Sequence, residues 1–168
     1  MIKWTVMPFT IPFIMPYLFF PAKYMPNLKD RNISIYCYES QYGITEEPAA
    51  SITWAAGTYV DETTGIRRNS QGDYLCAMGT PFGSCGDRFK IICEGGESFT
   101  VQIGDSKGDY WYHEYGDNDD PALSEISGWC VIELIVEPEL VPSRVVYAGS
   151  YHLSGLIPTG IEYIVPID

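Results

Sequence analysis

The sequence predicts a mainly β fold, and three observations carry that prediction. Residues 72–109 hold three short apolar runs, Tyr74–Met78, Arg88–Cys93 and 98–103, separated by the glycine-bearing links GTPFGSCGD, EGGE and GDSKGD. Runs of about five residues bounded by such links are a strand signal, and nothing in this segment keeps a helical period for three turns. The composition agrees, with 14% aromatics, 13 Tyr, 12 Pro and 16 Gly, the profile of a chain rich in strands and turns.

Length and charge bound the rest. A chain of 168 residues supports one domain with a sizeable core plus an extension, not two full domains. The composition shifts divide it into an arm at 1–30, a β domain at 31–140 and a C-terminal β extension at 141–168. The excess of 22 acidic over 10 basic residues, net −12, excludes a nucleic-acid partner, which requires a basic face, and also disfavours anionic wall polymers. Five cysteines without a CxxC pair indicate neither a structural metal nor a redox motif. The odd count leaves at least one thiol unpaired, no disulfide is demanded by the spacing, and Cys76, Cys93 and Cys130 fall in apolar runs as small buried hydrophobes.

The elements follow in order. Residues 4–22 form the longest uncharged stretch, yet Pro8, Pro12, Pro16 and Pro21 interrupt it nearly every turn. Each interior proline costs a helix about 3 kcal/mol, which argues against a membrane-spanning helix. An extended arm that packs on the domain or on a neighbouring subunit fits better, with a signal or anchor, or an unusual core segment, as the other readings. Residues 26–31 are a polar turn, and 32–39 (NISIYCYE) alternate as a half-buried strand. Residues 41–50 are loop, with Pro48 limiting any helix to one turn. Residues 51–60 (SITWAAGTYV) are expected as a strand bulged at Gly57, and 61–71 as a polar hairpin-like link. Its Arg67 and Arg68 are expected in a solvated turn, or else as bidentate partners of a carboxylate-bearing ligand.

Gly95 and Gly96 suit a tight hairpin. Gly104 and Gly108 bracket Asp105 where the third run should end, so a rigid scaffold would present an accessible acid; alternatively, Asp105 serves its own turn. Beyond it, Tyr110, Trp111, Tyr112 and Tyr115 are candidates for a sugar-stacking platform. Asp117, Asn118, Asp119 and Asp120 lack calcium-loop spacing and are expected as a solvated acidic loop. Residues 127–137 read as a strand buried on both faces, in which Glu133 must face solvent, a partner or the site. Pro138 and Pro142 mark a boundary, and residues 144–168 are expected to hold two or three further short strands.

The motifs GDYLCAMGT, GDRFKI, EGGESF and IGDSKGD, with GWCVIELIVE as a closing strand, resemble the 3D (Asp-Asp-Asp) family. These are double-psi β-barrel modules of Gram-positive cell-wall proteins and phage tail proteins, related to the barrel of the A-type lytic transglycosylases. The resemblance spans residues 58–137. It implies a six-stranded double-psi β-barrel, with the arm and the C-terminal strands added to it, and peptidoglycan glycan strands as partner, without metal or cofactor. It places the general acid and base at Asp105, with Asp109 as second carboxylate; beside them Lys107, Tyr110, Trp111 and Tyr112 are candidate saccharide contacts on their chemistry. Proximity of Asp105 and Asp109 would raise a carboxyl pKa into the range for proton donation, provided that Lys107 points outward. The third aspartate of the family pattern has no counterpart, since neither Asp73 nor Asp87 aligns with it.

Two functions are consistent with these features. One is a glycan-cleaving module on a phage tail or in a Gram-positive cell wall. The other is a non-catalytic virion or tail component that docks through residues 4–22. A cysteine hydrolase built on Cys85 and His113 lacks a placeable base and orienting residue.

Overall fold

The computed structural model describes residues 36–80, 82–93, 95–108, 113–114, 129–151, 154–157 and 161–168. The expectations for residues 1–35 and for Asp109, Tyr110, Trp111, Tyr112, Tyr115 and 117–120 lie outside these. The elements are β1 (Tyr36–Ser40), α1 (Ala49–Thr53), β2 (Tyr59–Val60), β3 (Arg67–Arg68), β4 (Tyr74–Met78), β5 (Arg88–Cys93), β6 (Ser98–Ser106), β7 (His113–Glu114), β8 (Trp129–Cys130), β9 (Ile132–Val136), α2 (Ser143–Ala148) and β10 (Ile161–Ile167). Short 3-10 turns follow β1 and β9.

The fold is mainly β. One mixed sheet of eight strands runs β1-β9-β4-β6-β5-β10, with the β2–β3 hairpin attached through β3 to β4; among the described residues the path does not close into a barrel. Strands β7 and β8 form a separate pair. Two pairings are parallel, β1 with β9 and β4 with β6, and each needs a long crossover. The main core gathers Ile66, Cys76, Met78, Phe89, Ile91, Val101, Ile103, Ile132, Leu134 and Tyr151 on one face of the sheet, and a smaller core of Ile44, Ala49, Leu75 and Ile135 lies under α1.

Several expectations are corrected. Residues 51–60 are not one strand: the single turn of α1 follows Pro48, and only Tyr59 and Val60 pair in the sheet. The apolar run SITW is as compatible with a helix turn packed on a core as with a strand, and Gly57, at φ +85°, ends any continuity between the two. Strand β6 does not stop at Ile103 but runs through Gly104 to Ser106.

Arg67 and Arg68 are not solvated. Arg67 is 9% exposed and donates to the Thr53 carbonyl (2.6 Å), Gln41 Oε1 (2.9 Å) and Thr58 Oγ1 (2.7 Å). Arg68 pairs with Asp61 at 2.9 Å and lies over the Tyr74 ring at 3.9 Å. The C-terminal segment supplies α2 and, among the described residues, one strand. That strand, β10, pairs antiparallel with β5, so it extends the sheet. Cys37 is disulfide-bonded, whereas Cys76, Cys85 and Cys93 are free thiols, two of them buried as expected of core residues.

Candidate functional site

The site is built by one irregularity in β6. Cys76 of β4 stands opposite Ile103, but its neighbour Ala77 stands opposite Asp105, so Gly104 is an extra residue in the ladder. In a regular strand Asp105 would share the face of Val101 and Ile103 and point into the main core. The bulge turns it to the opposite face. Glycine fits there because a Cβ would stand 2.8 Å from Ile135 Cδ1 and 3.1 Å from Thr53 Oγ1. The strand is thus bulged at the place where α1 presses on it.

The same face collects two more carboxyl groups. Ala77 also stands opposite Glu133 of β9, and Glu133 stands opposite Cys37 of β1, two residues before Glu39. Residues opposite one another in a ladder share a face. Asp105, Glu133 and Glu39 therefore converge, with Lys107 two residues beyond Asp105. The Lys107 ammonium lies 3.2 Å from Glu133 Oε1, and its side chain is only 1% exposed. This corrects the expectation that it points outward: the cation is buried and answers Glu133. Burial pulls the Lys107 pKa down, while Glu133 and Glu39 hold it up.

Glu39 is the most perturbed carboxyl of the group. Burial first, then the charges of Asp105 and Glu133, push it up to about 8 against the opposing pull of Lys107. Its Oε1 is buried and without a hydrogen-bond partner among the described residues. With its pKa pushed up to about 8, Glu39 keeps its proton at neutral pH, the state from which an acid can donate. Asp105 is half-buried, and its Oδ1 accepts a hydrogen bond from the Ser106 backbone N–H at 2.7 Å. Cys37 Sγ lies 3.7 Å from Glu133 Oε1, but as a disulfide sulfur it has no proton to donate and only packs there.

The aspartates weighed as a third acid lie elsewhere. Asp73 is 3% exposed and accepts from Arg88 Nε (2.7 Å), Asn69 Nδ2 (2.9 Å) and the Thr100 hydroxyl. Burial alone would raise its pKa, but these three donors together hold it below the ordinary carboxylate range. It braces β3, β5 and β6. Asp87 accepts from the Ser84 backbone N–H at 2.9 Å and serves its turn. The Cys85 thiol is pushed up by burial and by Asp105, which opposes its use as a nucleophile. No three His, Cys, Asp or Glu side chains among the described residues are arranged to hold a metal ion.

Sequence reasoning missed Glu39, although a signal was present. In NISIYCYE the apolar residues Ile33, Ile35 and Cys37 recur at every second position and Glu39 continues the series, so a period-two reading of the sequence puts the carboxylate on the apolar side. Glu133 meets the expectation that it faces solvent, a partner or the site. Compared with protein-family models, with curated proteins and with solved structures, the chain finds no match in any of the three.

Proposed function

We propose that the chain is a peptidoglycan-targeting module of lytic-transglycosylase type, working on a phage tail or in a Gram-positive cell wall. The observation that carries this is the half-buried Glu39 carboxyl, held protonated to about pH 8 beside Asp105 and Glu133 on one sheet face. Glycosidic cleavage needs such a proton donor beside groups that stabilise positive charge at the anomeric carbon. Glu39 gives its proton to the leaving oxygen as the glycosidic bond breaks. Asp105 faces the developing cation, and Asp109 is proposed as the second carboxylate. An internal sugar hydroxyl then attacks the anomeric carbon and returns its proton to the Glu39 carboxylate.

Lys107 holds Glu133 in place, and Tyr110, Trp111 and Tyr112 supply ring surfaces for the glycan. The eight-stranded sheet is, in this proposal, an opened relative of the six-stranded double-psi barrel. Its two parallel pairings in an otherwise antiparallel sheet support that assignment.

The test is digestion of purified Gram-positive sacculi by the wild-type protein, Glu39→Gln and Asp105→Asn, with anhydro-muropeptides read by mass spectrometry. Wild type should release them, and Glu39→Gln should lose about 10²–10⁴-fold in rate. No release from the folded wild type overturns the proposal.

A non-catalytic virion or tail component, docked through residues 4–22, is the second proposal. It is favoured by two contacts: the Asp105 bond from the Ser106 backbone N–H and the Lys107–Glu133 ion pair partner these groups internally.

A further inference from the structure

Beside the carboxyl cluster, two exposed aromatic rings are fixed by buried polar groups. Trp54 directly follows α1, is 45% exposed, and donates from Nε1 to the Ile44 carbonyl at 3.0 Å. The Arg67 guanidinium lies 4.4 Å from its ring centroid. That cation is tied to Thr53, Thr58 and Gln41, so one indole face rests on a rigid base and the exposure falls on the other face and rim. Gln41 donates in turn to Glu137 Oε2, and the same oxygen accepts from the Tyr42 hydroxyl at 2.6 Å. Tyr42 is 61% exposed. Trp54 and Tyr42 thus stand at the two ends of one hydrogen-bonded chain, Arg67–Gln41–Glu137.

Single exposed aromatics are ordinary on a protein surface, but these are pinned at their polar edges with ring surface left bare. The cost of ordering a side chain on binding is already met in such a ring. Flat rings with polar groups alongside suit the apolar faces of pyranose sugars. Position adds to this. Thr53, the residue before Trp54, contacts the Gly104 carbonyl through its hydroxyl at 3.4 Å, and Gly104 precedes Asp105. Gln41 follows Glu39 by two residues in the chain. Tyr42 and Glu39 are thus carried by one continuous segment, β1 and the turn after it, and the end of α1 that carries Trp54 is joined to the Asp105 strand through the Thr53–Gly104 contact.

We propose that Trp54 and Tyr42 form a saccharide-stacking subsite that adjoins the Glu39–Asp105–Glu133 cluster and holds the glycan strand beyond the cleaved bond. The proposal rests on the glycan-directed reading of that cluster. It assigns recognition to the Arg67–Gln41–Glu137 face, separately from the chemistry of Glu39.

The probes are a β-1,4-linked N-acetylglucosamine hexamer, titrated by calorimetry, and purified sacculi, in a pelleting assay and a digestion assay. Wild type, Trp54→Ala, Trp54→Phe, Tyr42→Ala and Glu39→Gln are compared, with folding checked by circular dichroism. Trp54→Ala should weaken binding at least tenfold and Tyr42→Ala severalfold, Trp54→Phe should restore most of what Trp54→Ala loses, and Glu39→Gln serves as the cleavage-deficient comparison in the digestion assay. Should Trp54→Ala not fold, Tyr42→Ala, truncated at an exposed ring, carries the comparison.

Wild-type binding that Trp54→Ala and Tyr42→Ala leave unchanged overturns the subsite, even where sacculi are cleaved. Binding that is lost in these variants, without cleavage by any of the proteins, upholds the subsite and removes the catalytic proposal. A folded wild type that binds neither probe overturns the subsite.

Discussion

Glu39 ties the chemistry of the site to the stability of the fold. Its pKa is raised on folding from about 4.5 to about 8, so between those values the folded protein holds a proton that the unfolded chain has released. Stability therefore falls as pH rises through this window, by an amount on the order of a few kcal/mol. Glu39→Gln should flatten the slope, which urea unfolding at several pH values from 5 to 8 would measure. Under the catalytic proposal, cleavage should fade above about pH 8, as the donor loses its proton. A wild-type stability that does not decline across the window would contradict the burial described for Glu39. Arg67 makes a different prediction. Three of its nitrogens serve three separate acceptors, a pattern a lysine ammonium cannot span. Arg67→Ala should cost about 2–4 kcal/mol, with Arg67→Lys recovering little of it in thermal or urea unfolding.

At the scale of elements, two glycines separate cheap crowding from costly crowding. A Cβ on Gly104 would meet the tip of Ile135 and the Thr53 hydroxyl, whereas one on Gly65, at φ +72°, would lie 2.8–2.9 Å from backbone atoms of Leu140 and Val141. Side-chain tips can yield and backbone cannot. Gly104→Ala should therefore cost about 1–3 kcal/mol and Gly65→Ala clearly more, both read from denaturant midpoints at constant m-value. A reversed order would refute the packing of β6 against α1.

These same elements show what was legible beforehand. β4 and β5 are predicted to the residue, because glycine links bound their apolar runs on both sides. The extension of β6 through Gly104 was not legible, because a glycine inside a strand and a glycine ending one look alike until the partner strand is known. The site was half legible for the same reason. Asp105 stood out by its flanking glycines, while Glu39 and Glu133 join it only through the pairing of β1, β9 and β4, which local pattern does not encode.

For the whole molecule, charge and connectivity set the expectations. With a net charge of −12, binding to intact Gram-positive walls should be weaker at low salt than binding to sacculi stripped of anionic polymers. The gap should close as salt shortens the screening length below about 10 Å. Pelleting assays across a salt series would show this, and a gap that widens with salt would contradict it. Tyr151 links the C-terminal segment to the centre, since it is fully buried, donates to the Thr64 carbonyl at 2.5 Å and meets the Tyr38 ring edge-on at 6.0 Å. Tyr151→Ala should cost about 3–5 kcal/mol by analogy with other large aromatic truncations.

The parallel pairing of β1 with β9 has a consequence in time. Cys37 and Glu133, opposite each other in that ladder, are separated by 96 positions, so β1 emerges from the ribosome long before its partner exists. The entropy of closing so long a loop is spent before the contact returns anything. Refolding should accordingly run in milliseconds to seconds, not microseconds, and the nascent chain must keep β1 from mispairing until β9 has been made.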